Sequence, residues 1–248
     1  MISFKDHFSG VAQDYARYRP HYPEELFAFL ASLCRRRELA WDCATGSGQA
    51  ATGLARFFER VVATDASRQQ IENARPDPKI DYRVAAAEES GLSPASADLV
   101  TVAQALHWLD LDRFYAEVRR VLAPGGALAV WSYYWLHVDP KIDAVVRRYH
   151  DETVGPCWPP ERALVARGYA SLPFPFEPVA SAPLSIKERW DLAGLVGYLS
   201  TWSATRRFRE STGEEPLDLV IPDLLAAWGD PAEVKTVRWP LEIRVGRR

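Results

Sequence analysis

The clearest chemical pattern in the chain is Asp42-Cys43-Ala44-Thr45-Gly46-Ser47-Gly48, an acid leading into two glycines. Glycine lets a backbone turn sharply and pass close to a ligand. Alone the pattern is ambiguous, because Gly46-x-Gly48-x-x-Ala51 also passes as a dinucleotide fingerprint. One strand–helix–strand unit further on stands Asp65, with Ala66 beside it. A carboxylate in that position accepts both hydroxyls of a ribose. Its other reading is a turn residue ahead of a helix capped by Ser67. A second group able to do chemistry is His107, the one plausible proton acceptor near this pattern; its other reading is a packed histidine. The three cysteines, Cys34, Cys43 and Cys157, have no metal-knuckle spacing and an odd count, so neither a metal site nor a disulfide framework is expected.

The elements that must position these groups alternate. Residues 24–37 place Leu26, Phe27, Leu30, Leu33 and Cys34 on one helical face. A second helix is predicted at about 48–58. The apolar run RVVAT ends at Asp65 as a strand, and Ser67 with Gln70 forms a capping box that starts a helix at Arg68. Strand patterns recur at 80–86 and 97–104, a helix at 110–122, and a strand at 127–133 after the break Pro124-Gly125-Gly126. Such alternation with short connections predicts a parallel sheet covered on both faces. The second half reads differently: helix at 141–154, irregular coil at 155–183, strands at 177–190 and 234–246, helices at 191–203 and 216–228. We expect one domain over 1–248: a lid and first helix in 1–37, a cofactor-binding core in 38–133, and cap helices with final strands in 134–248.

Composition sets outer limits. The 248 residues are 48% hydrophobic and 25% charged, as in an ordinary globular protein. The net charge of −3 leaves no electrostatic footprint for nucleic acid. The N-terminus lacks a secretory pattern, and no apolar run of about 18 residues exists, so a cytoplasmic location without a membrane span is expected. The 9 tryptophans suit either a core or a ligand pocket.

Taken together, these segments resemble the class I S-adenosylmethionine-dependent methyltransferases. The match covers DCATGSG, the acid in VVATDAS, AAAEESGL, DLVTVAQALHW, and the turn in VLAPGGALAVW that separates this class from dehydrogenases. It is similar in particular to the trans-aconitate methyltransferase-like branch, through the segment Phe8 to Pro23, Ala-Leu-His-Trp at 105–108, Thr201 to Ala204, and Trp239 to Leu241. The resemblance implies a Rossmann-like, seven-stranded, mostly parallel α/β sheet with helices on both faces, the last strand antiparallel, and a helical cap. It implies S-adenosyl-L-methionine as cofactor. Asp42 and the loop Ala44–Gly48 would border its methionine part, Asp65 with Ala66 its ribose, and Ala87 with Glu88 its adenine. Gln104 and Ala105 would lie beneath the sulfonium, and Arg19, in a lid segment, would pair with the methionyl carboxylate. Ala44 replaces the first glycine of the family loop, and Ala86 stands where many relatives carry an acid.

On the acceptor side, Trp108, Trp135 and Trp202 would wall a small pocket, and Arg206, Arg207 or Arg209 would clamp a carboxylate, Arg206 first. Ordinary core packing and a solvated helix face are the respective alternatives. A carboxylate acceptor is ionised at neutral pH and needs no base; an alcohol or ammonium acceptor needs one, and His107 is the candidate. The segment after residue 104 is not the Asn-Pro-Pro-Tyr of relatives that methylate nucleobases, so a small-molecule substrate is expected. A nicotinamide-dependent oxidoreductase and a cofactor-binding protein without turnover are the competing readings.

Overall fold

A computed structural model describes residues 18–248. Five parallel strands make the core of one sheet: β1 (Leu39–Cys43), β2 (Arg60–Asp65), β3 (Ile80–Val84), β4 (Ala97–Ala103) and β5 (Leu122–Ser132). The 13-residue β8 (Lys235–Arg247) lies antiparallel on β5. With β6 (Glu177–Val179) and β7 (Leu184–Trp190), the order is β3-β2-β1-β4-β5-β8-β6, with β7 also paired to β8. Neighbours of β1 were reached by crossovers in opposite directions, so a crevice opens at the carboxyl ends of β1 and β4.

Side chains alternate along each strand, and this alternation divides the core in two. Ala40, Val61, Leu99 and Ala129 face α1 (Glu24–Ser32) and α2 (Gln49–Leu54), which contribute Leu26, Phe27, Leu30 and Leu54. Trp41, Val62, Val100 and Leu128 face α4 (Leu111–Val121) and its Phe114, Tyr115, Val118 and Val121. Both faces are covered, which is why these strands read as continuous apolar runs. Each such fully buried side chain contributes roughly 1.5–3 kcal/mol. The short helix α3 (Arg68–Glu72) is capped by Ser67, whose hydroxyl accepts from Gln70 N.

After β5 the chain builds the cap. It comprises α5 (Pro140–Arg148) continued by a wide turn at Tyr149–Thr153, then α6 (Arg162–Ala166), α7 (Leu192–Ser200), α8 (Ser203–Thr212) and α9 (Ile221–Trp228). Three expectations are corrected. Residues 177–190, expected as strand throughout, divide into β6 (Glu177–Val179) and β7 (Leu184–Trp190), which pair with different stretches of β8. The break falls at 180–183, where Pro183 has no N–H for the ladder. The stretch 155–183, expected as coil, holds α6. A separate helix, α8, follows the one expected at 191–203.

The lid resemblance at Phe8 to Pro23 lies mostly outside the described residues, but its end is placed. Tyr18 packs where a Cβ on Gly197 of α7 would lie, the Gln49 side chain donates to Pro20 O (2.8 Å), and His21 N donates to Glu188 (2.8 Å). Residues 18–21 therefore bridge the cap to the start of α2. Among the described residues, no helix is long and apolar enough to cross a membrane, and no cluster of His, Cys, Asp or Glu is suited to a metal ion.

Candidate active site

The turn after β1 is held by two carboxylates. Asp42 has no exposed surface; Thr45 Oγ1 and Thr101 Oγ1 (2.7 Å) both donate to it. Burial raises its pKa to about 6, against the pull of those two hydroxyls. Asp42 thus sits under the loop and shapes it from below. The loop passes through left-handed backbone at Ala44 (φ +54°), Gly46 (φ +59°) and Gly48 (φ +88°). The first of these is unfavourable for alanine, which identifies why a glycine is usual at that place in the resemblance. A Cβ on Gly48 would lie 2.2 Å from the Tyr82 hydroxyl, whereas one on Gly46 would meet only Gln70 Oε1 at 3.8 Å. Of the two glycines, Gly46 is the one with room beside it.

Asp65, at the tip of β2, is half-buried. Its Oδ2 accepts from Gly46 N and its Oδ1 from Ser67 N, both at 2.8 Å. The carboxylate therefore ties the glycine loop to the turn after β2. Ala66 is exposed beside it. Beyond β3, Ala87 is buried and Glu88 Oε1 accepts from Asp110 N (3.2 Å), while Asp110 itself caps α4. One oxygen of Glu88 is thus engaged in shaping the loop after β4.

That loop carries Gln104, at φ +59°, whose N donates to Trp131 O (2.9 Å) and whose side chain donates to Tyr133 O (2.9 Å). A non-glycine residue in this conformation at the tip of a strand marks strain of the kind concentrated at functional sites. Half-buried Ala105 follows it, then a single turn at Leu106–Trp108. His107 Nδ1 lies 3.0 Å from the Tyr169 hydroxyl, and the two rings stack at 5.7 Å. Burial, with Arg162 nearby, lowers the His107 pKa to about 4. His107 is therefore neutral at physiological pH, with its Nδ1 engaged by Tyr169.

Across from this loop lies an aromatic chamber. Tyr133 and Tyr134 follow β5; His150 lies in the turn after α5, and its Nε2 is 3.0 Å from the Tyr134 hydroxyl. Trp135 packs 4.7 Å from His150 and Trp202 packs 5.4 Å from Trp158. Two of the three expected pocket tryptophans, Trp135 and Trp202, thus meet around His150; Trp108 stands apart, 38% exposed and against His107. Arg19 donates to the Tyr133 hydroxyl (3.4 Å) and Thr201 O (3.3 Å).

The expected arginine clamp is not where the sequence pattern put it. Arg206 lies 3.6 Å from Glu210, Arg207 donates to Cys157 O, and Arg209 is paired with Glu215. All three serve the cap helices. The guanidinium that enters the chamber is Arg162, 4.7 Å from the rings of both Tyr134 and Trp158. It was missed because its helix stands in a stretch that reads as coil; Tyr133-Tyr134 directly after a strand was the available signal. A groove of about 330 Å³ lined by Cys34, Asp98 and Gly125 lies at the opposite end of the strands, away from every one of these groups.

Comparison with known proteins agrees with this geometry. Residues 41–130 match a family model described as a methyltransferase domain. A Dictyostelium discoideum protein named as a methyltransferase is 35% identical over 229 residues, covering 91% of this chain and 87% of that one. A solved structure from Anaeromyxobacter dehalogenans, described as a type II methyltransferase, is 49% identical with a TM-score of 0.89, covering 93% of this chain and 98% of that one. A Geobacter sulfurreducens S-adenosylmethionine-dependent methyltransferase, solved with S-adenosyl-L-homocysteine, is 18% identical with a TM-score of 0.51 and full coverage of both chains; it shares the fold.

Proposed function

Because this chain belongs to the class I S-adenosylmethionine-dependent methyltransferases, we propose that it methylates a small molecule, at a carboxylate oxygen. The crevice suits the cofactor: a Cβ on Gly46 would meet only Gln70 Oε1, and the Asp65 carboxylate stands beside that glycine at the tip of β2. Asp65 with Ala66 would hold the ribose, the 44–48 loop the methionine part, Ala87 and the second oxygen of Glu88 the adenine. Gln104 and Ala105 would floor the reacting end, and Arg19 would meet the methionyl carboxylate. When bound, S-adenosylmethionine supplies a methyl group whose bond to sulfur breaks as an acceptor lone pair forms a new bond to carbon.

The observation that carries the choice of acceptor is the state of His107. A general base needs a free nitrogen and a pKa near the working pH. His107 has its Nδ1 tied to Tyr169 and its pKa near 4. A histidine so engaged and so hard to protonate is a poor base, which suits an acceptor that is already an anion. Tyr133, Tyr134 and Trp202 would exclude water and hold the acceptor in line. The net charge of −3 favours a small molecule over nucleic acid.

The test is a panel of small carboxylic acids, each beside its amide and its alcohol, incubated with protein and S-adenosylmethionine. Methyl esters should form by mass spectrometry, with matching S-adenosylhomocysteine. Transfer only to amines or alcohols would overturn the carboxylate reading and leave the family assignment standing.

A further inference from the structure

Arg162 is a half-buried cation whose Nε is fully buried. Among the described residues no carboxylate lies within ion-pair distance of it, and its buried Nε has no hydrogen-bond partner. Its contacts are the faces of Tyr134 and Trp158 and a hydrogen bond to Tyr134. Arg19 adds a second positive charge nearby, which together with burial depresses the Arg162 pKa. A buried charge is costly unless paired, and two cations facing one space make it costlier.

A second unmet donor stands in the same place. Trp202 is 4% exposed, and its indole Nε1 is buried with no acceptor. Its ring lies 5.4 Å from Trp158, the same indole that Arg162 covers. Both unmet groups are donors, so what satisfies them is an acceptor, and next to a guanidinium that acceptor is an anion. Tyr134, Trp158 and Trp202 give the rest of the chamber flat apolar walls, which fit a planar carbon skeleton.

We infer that Arg162 and Trp202 form an anion-anchoring site in the aromatic chamber, which takes the carboxylate of a small planar acid. The anchor rests on the small-acid reading above for the source of its ligand, but not on turnover. A carboxylate clamped by a guanidinium is a weakened nucleophile, so the anchored group is one that the protein holds, while the group presented at His107 and Gln104 is the one that reacts. Arg162 is thereby a specificity residue for acids over their neutral analogues.

The experiment uses the full chain with benzoate, cinnamate and fumarate, each against its amide, read by thermal shift and by calorimetry. At least one acid should raise the melting temperature of the wild type while its amide does not. In Arg162→Gln the affinity for that acid should fall at least about tenfold, the loss of one charge-assisted hydrogen bond. Arg162→Lys should recover only part of it, because an ammonium lacks the planar fork. Trp202→Phe keeps the ring and removes the N–H, and should weaken binding several-fold. S-adenosylmethionine binding should be unchanged in Arg162→Gln, which shows that the variant is folded. No shift with any acid, or an equal shift in wild type and Arg162→Gln, overturns the anchor. Binding of fumarate, the probe with a second carboxylate, through Arg162 without methyl ester formation would instead count against the proposed reaction and leave the anchor standing.

Discussion

Replacing His107 with Asn tests whether this histidine is a base or a neutral donor, and does so without knowing the substrate. In the folded protein its pKa is lowered to about 4, from an ordinary value of 6.5. The unfolded chain therefore binds more protons than the folded one between those values. Stability from this group is fully present above pH 6.5 and is lost as pH falls towards 4. Between pH 7.5 and 4.5 the difference is worth about 2.5 kcal/mol, from 1.36 kcal/mol per unit of pKa. Urea denaturation at both pH values, in wild type and His107→Asn, isolates the group, since other titrations cancel in the comparison. The variant should be less sensitive to acid than the wild type by about that amount. Equal acid sensitivity in the two proteins would mean that His107 titrates normally in the fold, and the neutral-donor argument would fail. Once an acceptor is known, the rate of the wild type should stay flat from about pH 6 to 8, and His107→Asn should retain most of it. A loss of roughly 10²–10⁴ with a rate rising through pH 6.5 would promote the base-assisted mechanism.

Asp42→Asn should show the opposite sign. The folded pKa of Asp42 is raised to about 6, so the wild type gains about 2 kcal/mol on acidification from pH 7.5 to 4.5, and the variant should lack that gain in the same denaturation series. Asp65→Ala should weaken S-adenosylmethionine binding at least about tenfold by calorimetry. Because Asp65 also holds Gly46 N and Ser67 N, its removal should lower stability by about 1–3 kcal/mol; unchanged affinity would reject its assignment to the ribose. Gly48→Ala places a Cβ 2.2 Å from the Tyr82 hydroxyl at φ +88°, and should cost roughly 2 kcal/mol or more by thermal denaturation. Pairing it with Tyr82→Leu should recover part of that loss, and no recovery would place the strain in the backbone alone.

The legible part of the site was the part written in local chemistry. Asp65 ends an apolar run, Ser67 caps a short helix, and Gly46 and Gly48 carry positive φ, so residue type and position agree over a few neighbours. The five parallel strands were legible for the same reason, since burial on both faces leaves a continuous apolar signature. The resemblance to methyltransferases rested on these same segments, and it agrees with the matched domain at 41–130.

What only the tertiary structure decided lies where distant segments meet. Nothing near residue 107 shows that Tyr169, 62 positions away, occupies its Nδ1. Arg206 and Arg162 are the same residue type; Glu210, one helical turn along, engages the first, and among the described residues no acid reaches the second. Period and capping are properties of neighbours along the chain, so the sequence carries them openly. Whether a charge is paired, and whether a nitrogen is free, depends on which surfaces burial brings together, and that depends on the whole fold.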